Sequence, residues 1–140
     1  MRFEQEATIA ANQHAVWAMY SDVARWPQWA DSFTTVQLVD GDLALGARVR
    51  IQQPRLPITT WTVTALDPGR GWSWTATGLG TRTVADHRIE QLGPTTTRVR
   101  LSVTYGGPIG WIIGRLSAAL TRQYLSIEAN GLKEACEANA

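Results

Sequence analysis

The chain has 140 residues, a length that fits one domain built around one hydrophobic core. Hydrophobic residues make up 44% and charged residues 18% of the chain, which is typical of a globular protein and not of a disordered one. The net charge of +1 argues against a protein that binds nucleic acids by charge, and one cysteine, Cys136, excludes an internal disulfide or a site of several thiolates.

The first thirty residues predict one strand followed by two short helices. Apolar residues alternate with charged ones through residues 1–10, the pattern of a strand with one buried face. Asn12 suits the N-cap of a helix, and Ser21-Asp22 precede a second, shorter helix that a proline interrupts. We interpret the cluster Trp26-Pro27-Gln28-Trp29 as the part that closes this helical pair, with its two tryptophans as structural plugs.

From Phe33 to Tyr105 the pattern changes to six further strands, separated by turns rich in Gly, Pro and Asp. Apolar residues again alternate with polar ones in every strand, which predicts an antiparallel sheet with one face in water. The residues that this alternation places on the apolar face are Val36 and Leu38; Ala47, Val49 and Ile51; Trp61, Val63 and Ala65; Trp72, Trp74 and Ala76; Ala85, His87 and Ile89; and Val99, Leu101, Val103 and Tyr105.

The last segment predicts one long helix. Gly106-Gly107-Pro108 is a helix-start signal, and apolar residues recur at helical spacing from Ile109 to about Cys136, with Gly131 as a position where the helix can bend. The expected fold is therefore α+β: a seven-stranded antiparallel sheet wrapped around a long C-terminal helix, with two short helices between strands 1 and 2. A sheet that grips a single helix can leave a cavity.

On the polar face of this sheet, the first and last strands are expected to be neighbours. Glu4 and Glu6 would then lie across from Arg98 and Arg100.

The sequence also lacks signals of targeting and of cofactor binding. No segment approaches the ~20 apolar residues of a membrane span, and the acidic segment 1–6 has no apolar core of a signal peptide. Two histidines, His14 and His87, are too few for a histidine metal centre, and no nucleotide-binding or zinc-binding motif is present. We therefore expect a cytoplasmic protein with one domain over residues 1–140, no cofactor, no metal and no nucleic-acid partner.

The order of elements resembles the START-like helix-grip superfamily, also called SRPBCC, over essentially the whole chain. The residues that carry the resemblance are Ala10-Ala11-Asn12-Gln13-His14-Ala15-Val16-Trp17, Ser21-Asp22-Val23-Ala24-Arg25-Trp26-Pro27-Gln28-Trp29, Gly46 and Thr96-Thr97-Arg98-Val99. The chain looks closest to the bacterial polyketide cyclase/dehydratase-like branch. The resemblance implies a cavity between sheet and helix in which members bind lipids, sterols, polyketides, hormones or quinones, and in which some catalyse cyclisation or dehydration. It also implies that the segment Pro54-Arg55-Leu56-Pro57 is a loop at the cavity mouth.

The candidate site residues are those whose parity or helical spacing points them toward this cavity. For ligand binding they are Trp61, Trp72, Trp74, His87, Tyr105, Ile112 and Leu116. Tryptophans with inward parity pack a core or form an aromatic wall for a ligand. His87 is the best candidate for catalysis and Tyr105 the second, because a buried imidazole can move protons or contact a ligand carbonyl. The alternative for His87 is a neutral, hydrogen-bonded interior residue.

Three functions remain open at this stage. The first is binding of a small hydrophobic molecule of lipid, polyketide or quinone type, which a cavity lined by carbon would favour. The second is a polyketide cyclase or dehydratase, which polar groups converging on one spot inside the cavity would favour. The third is a protein-interaction module without a ligand, which a filled core would favour.

Overall fold

Alternating apolar and polar residues build the strands, and helices occupy the segments where the pattern changes. The structure, a computed structural model, describes residues 1–139. The elements are β1 (Arg2–Ile9), α1 (Gln13–Ser21), a 3-10 helix (Val23–Gln28), β2 (Thr35–Leu38), β3 (Arg48–Gln52), β4 (Thr59–Asp67), β5 (Gly71–Gly78), β6 (Thr81–Gly93), β7 (Thr96–Gly106), α2 (Gly110–Leu116) and α3 (Ala118–Ala138).

The strands form one antiparallel sheet of seven strands in the order β1-β7-β6-β5-β4-β3-β2. Strand β1 pairs with β7, and the two N-terminal helices carry the chain to β2 at the opposite edge. The inner face of the curled sheet packs against the helices, so the predicted α+β helix-grip fold is confirmed. Within residues 1–139, no helix combines the length and the apolar character needed to cross a membrane.

The predicted cap at Asn12 and the buried side chain of Trp26 hold the two N-terminal helices. The side chain of Asn12 accepts a hydrogen bond of 2.8 Å from the backbone N–H of Ala15, which caps α1. Trp26 is buried in the 3-10 helix, stacks on Tyr20 and donates its indole N–H to the Tyr20 carbonyl at 2.9 Å. The tryptophan thus fixes the angle between the two helices.

The outer face of the sheet carries part of the predicted charge pattern. Arg100 contacts Glu6 at 2.9 Å and Glu4 at 3.2 Å, as expected for neighbouring β1 and β7. The prediction for Arg98 is wrong: it lies opposite Thr8 in the register and pairs with Glu90 of β6 at 3.6 Å.

A bulge in β4 changes one predicted inward position. The register against β5 shifts between Val63 and Ala65, so that Leu66, not Ala65, lies opposite the buried Trp72. The extra residue reverses the alternation of faces for the rest of the strand. Ala65 is therefore exposed, and the strand prediction is wrong at this position.

The predicted single C-terminal helix is in fact two. The chain leaves helical geometry at Ser117, where φ is −95° and ψ is 1°. Helix α2 buries Gly110 and Gly114 against Tyr105 at the end of β7, whereas α3 packs across β1. Because α2 approaches the sheet through its glycines, its side chains Trp111, Ile112 and Leu116 are exposed, and the chain must turn before α3 can bury an apolar face.

Gly131 is a close contact between α3 and the N-terminal helical pair. A Cβ atom at this position would lie 2.1 Å from the carbonyl oxygen of Trp29, far inside van der Waals distance. A glycine here lets the backbones of α3 and of the segment after the 3-10 helix touch. The predicted role of Gly131 as a bend is thus replaced by a role in close packing.

We expect Gly131→Ala to destabilise the protein by about 1–3 kcal/mol, the usual cost of forcing an extra methyl group into a packed core. Alanine has a higher helix propensity than glycine, by about 1 kcal/mol, so helix propensity alone predicts a gain in stability. A loss of stability would therefore come from the steric clash. Urea unfolding measures the effect. The control is Asn130→Ala, next to it on the exposed side of α3, which should be neutral or slightly stabilising. Equal or higher stability of Gly131→Ala would contradict this packing.

Candidate functional site

A cavity of about 500 Å³ lies between the inner face of the sheet and α3, within the size range of small-molecule sites. Strands β3 to β7, the loop between β3 and β4, and both C-terminal helices contribute to its wall. The exposed residues of its lining are Leu56, Pro57, Thr77 and Gly78. All four come from the loop between β3 and β4 or from the end of β5. The cavity therefore opens to the surface at that end of the sheet and is closed at the other.

Aromatic side chains form one wall of the cavity. Trp61 and Trp74 line it, as does Trp26 from the 3-10 helix, which was predicted only as a plug. Trp72 does not line it, although the sequence predicts that it should. It lies behind His87, with the two rings stacked at 4.4 Å, because α1 and the 3-10 helix cover the closed end of the sheet's inner face.

Two predicted ligand-binding residues of the C-terminal segment also lie outside the cavity lining. Ile112 is 38% exposed and Leu116 is 81% exposed, because the glycine face of α2 packs against the sheet. Other residues of the two helices take their place in the wall. They are Ile113, Ser117, Leu120, Thr121, Tyr124, Leu125 and Glu128.

His87 lies where its parity predicts, buried in the cavity wall. Its Nδ1 is 3.2 Å from the carbonyl oxygen of Trp72. Since a carbonyl can only accept, Nδ1 carries the hydrogen and Nε2 is left with a free lone pair. Burial lowers the pKa of His87 to about 4, so the imidazole is neutral at pH 7.

Glu128, which the sequence analysis missed, faces His87 from α3. Its Oε2 lies 4.0 Å from His87 Nε2 and accepts a hydrogen bond from the hydroxyl of Tyr20. Burial raises the pKa of Glu128 to about 7, even though the hydrogen bond from Tyr20 acts in the opposite direction. Burial, with Glu128 second, also raises the pKa of Tyr20 well above its ordinary value, so the phenol stays a donor.

These three side chains form a polar cluster in which, near pH 7, the imidazole is neutral and the carboxyl group of Glu128 is close to its pKa. The contact between His87 and Glu128 is not an ion pair, because the imidazole carries no charge there. A carboxyl group with a pKa near the working pH can both take up and release a proton. The cluster is thus able to exchange protons with a molecule in the cavity.

Tyr105, the second catalytic candidate, lines the cavity at a different level. Its hydroxyl lies 2.7 Å from the Oγ1 of Thr121 on α3. His87 pairs with Leu101, four residues before Tyr105 on β7, so the two levels are roughly 13 Å apart at 3.3 Å per residue. The structure therefore does not bring His87 and Tyr105 together. Within residues 1–139, no three side chains of His, Cys, Asp or Glu gather as metal ligands would.

The fold agrees with what comparison with known proteins shows. The model of a family described as polyketide cyclase / dehydrase and lipid transport matches residues 1–137. The chain belongs to this family. No curated protein matches the chain.

Solved structures similar to this family member share its fold. An aromatase/cyclase from a Streptomyces species has 18% identity and a TM-score of 0.79, with 98% of this chain and 93% of that chain covered. A protein of Thermus thermophilus has 17% identity and a TM-score of 0.78, with 100% and 99% covered. A point mutant of norcoclaurine synthase from Thalictrum flavum, in complex with a transition-state analogue, has 13% identity and a TM-score of 0.74, with 99% and 95% covered.

The raised pKa of Glu128 predicts a specific pH dependence of stability. A group whose pKa is higher in the folded state stabilises the fold below its unfolded pKa and loses that contribution as the pH rises through about 7. His87, with a lowered pKa, acts in the opposite direction, so the two effects partly cancel in the wild type. As the pH rises from about 5 to about 8, we expect the unfolding free energy of Glu128→Gln, measured relative to that of the wild type, to increase by about 2–3 kcal/mol.

Urea titrations at several pH values measure this difference. Glu134→Gln is the matched control, because Glu134 lies on the same helix with its side chain in water. It should show no such pH dependence. A difference between Glu128→Gln and wild type that does not change with pH would mean that Glu128 is ionised throughout.

Proposed function

We propose that the protein binds a mostly apolar, polyketide-type molecule in this cavity and catalyses its cyclisation or dehydration by proton transfer at Glu128. The observation that carries the proposal is the polar cluster: Glu128, with a pKa of about 7, and the neutral His87 meet at one point of a mostly apolar wall. The family description and the aromatase/cyclase fold relative support the same reading.

Binding would rest on the aromatic wall. Trp61 and Trp74 offer flat apolar surfaces to a planar or fused-ring ligand, as the sequence analysis expects. At the level nearer the opening, Tyr105 and Thr121 have hydroxyl groups that can hold a ligand oxygen. Trp72 would act indirectly, by holding His87 through ring stacking and its backbone carbonyl.

The reaction would begin with the carboxylate form of Glu128. It removes a proton from a carbon between two carbonyl groups, and the resulting enolate carbon forms a bond to a further carbonyl carbon of the same molecule. The proton then passes from Glu128 to the alkoxide oxygen, which becomes a hydroxyl group. Glu128 thereby returns to its carboxylate form.

Loss of water would use the same group twice. Glu128 takes a proton from the carbon atom next to the remaining carbonyl group. It then gives this proton to the departing hydroxyl group, which leaves as water. His87 Nε2, whose lone pair is free, would accept a hydrogen bond from that hydroxyl and hold it near Glu128. Tyr20 would be a positioning residue, because its hydroxyl holds the carboxylate without being part of the cavity lining.

Binding and turnover can be measured separately on one flavonoid-like polyketide and its open-chain poly-β-ketone precursor. Saturable quenching of tryptophan emission should report micromolar binding, about 8 kcal/mol, ordinary for an apolar pocket. In Glu128→Gln we expect similar binding and a single-turnover rate lower by ~10²–10⁴-fold, the usual contribution of a general acid–base.

Glu134→Gln is the control and should retain both binding and rate. Saturable binding by the wild type with no turnover would reject the enzyme and leave a carrier of hydrophobic molecules. An equal rate in wild type and Glu128→Gln would place the chemistry elsewhere in the cavity.

The pH profile separates Glu128 from Tyr20. Because the base must be ionised, the single-turnover rate should rise with pH and level off above the pKa of about 7. Tyr20→Phe removes a hydrogen bond that favours the carboxylate, so the midpoint of the profile should move to higher pH. A merely structural role of Tyr20 would lower the rate at every pH and leave the midpoint in place.

A further inference from the structure

Large apolar side chains project into solvent around the opening of the cavity. Leu79 is 97% exposed at the turn between β5 and β6, and Ile58 is 51% exposed on the loop between β3 and β4. On α2, Trp111 is 57% and Leu116 is 81% exposed. We call the segments 53–58, 78–82 and 109–116 together the entrance surface.

Specific contacts hold these three segments in place. The backbone N–H of Ile109 donates to the carbonyl of Gly80 at 3.1 Å, which ties the start of α2 to the turn between β5 and β6. The hydroxyl of Tyr124 on α3 donates to the carbonyl of Pro54, which ties the loop to the helix. The apolar side chains are therefore presented by a fixed surface, and those of Trp111 and Leu116 point outward because the glycines of α2 occupy its buried side.

The charges of the entrance surface all have one sign. Its charged residues are Arg55, Arg82 and Arg115, and all three are exposed. The segments contain no Asp or Glu, although the chain has 12 acidic and 13 basic residues. By contrast, the turns at the other end of the strands carry acidic residues such as Asp40 and Asp67. The molecule thus has a basic, apolar end that surrounds the cavity opening.

We propose that the entrance surface docks on a bilayer that contains anionic phospholipids. Exposed Leu, Ile and Trp side chains partition into the boundary between head groups and acyl chains, and arginines attract anionic head groups. Leu79 protrudes from the tip of a turn with almost no neighbours. A protruding side chain suits insertion into a fluid phase, whereas a protein partner would need a matching pocket.

Docking in this orientation places the cavity opening against the membrane. An apolar molecule could then pass between bilayer and cavity without crossing water, where exposure of its surface costs about 25 cal/mol per Å². The proposal concerns where the protein sits and does not depend on the proton-transfer chemistry of Glu128.

Vesicle co-sedimentation tests the proposal on the whole chain of 140 residues. Vesicles of phosphatidylcholine mixed with phosphatidylglycerol should bind the protein, vesicles of phosphatidylcholine alone should bind it much more weakly, and added salt should release it. The double variant Arg82→Gln/Arg115→Gln should lose about fivefold in partitioning for each arginine. Leu79→Ser/Leu116→Ser should lose about tenfold for each leucine.

Leu45→Ser is the matched control, because Leu45 is 69% exposed but lies on the connection between β2 and β3, at the other end of the sheet. It should bind vesicles like wild type, and all variants should keep the wild-type melting temperature. Absence of binding, equal binding to both kinds of vesicle, or an equal loss in Leu45→Ser would each overturn the proposal. So would binding to a polyglutamate chain without binding to vesicles, which would point to an acidic protein partner.

Discussion

The close approach of α3 to the N-terminal helical pair determines how the cavity is closed. At Gly131 the two backbones touch near Trp29, and no side chain other than hydrogen fits between them. Glu128 lies three residues earlier on the same helix and therefore on the same side. The contact at Gly131 thus brings the carboxyl group of Glu128 to the hydroxyl of Tyr20 on α1 and toward His87 on β6.

The closed end of the cavity keeps its titratable groups, His87 and Glu128, out of contact with water. The His87 ring stacks on Trp72 at 4.4 Å and meets Trp74 at 4.9 Å and Trp26 at 5.7 Å. Loss of solvation penalises the charged form of each group, so it lowers the pKa of the imidazole and raises that of the Glu128 carboxyl. One physical cause therefore gives a neutral acceptor and a carboxyl group that exchanges its proton near neutral pH.

The sequence predicts the faces of the strands well, but not distances along them or insertions within them. Period-two alternation placed His87 in the cavity wall, yet the same rule could not show that Tyr105 lies at another level. The bulge after Val63 adds one residue without any signal in composition. In α2, apolar spacing predicted a buried side for Ile112 and Leu116, but the glycines beside Tyr105 allow a closer approach and take that side instead.

Glu128 was missed for a different reason. It occupies a buried helical position between Leu125 and Leu132. An acidic residue on the apolar side of a helix indicates a buried polar partner, since charged groups are rarely buried without one. Its partner Tyr20 lies 108 residues away in sequence, so only the fold reveals the pair.

The two ends of the cavity differ in their chemical groups, so a ligand would meet apolar side chains and arginines first and the buried carboxyl group of Glu128 last. Near the opening, the exposed side chains are mainly apolar ones and arginines, and the entrance surface contains no Asp or Glu that could act as a base. At the closed end lies His87, whose level is roughly 13 Å from that of Tyr105 along the strands. The carboxyl group of Glu128, beside His87, is the group there with a pKa near 7. Under the proposed function, a ligand must therefore be long enough, and inserted deeply enough, to reach Glu128, which would link the size of the ligand to the reaction.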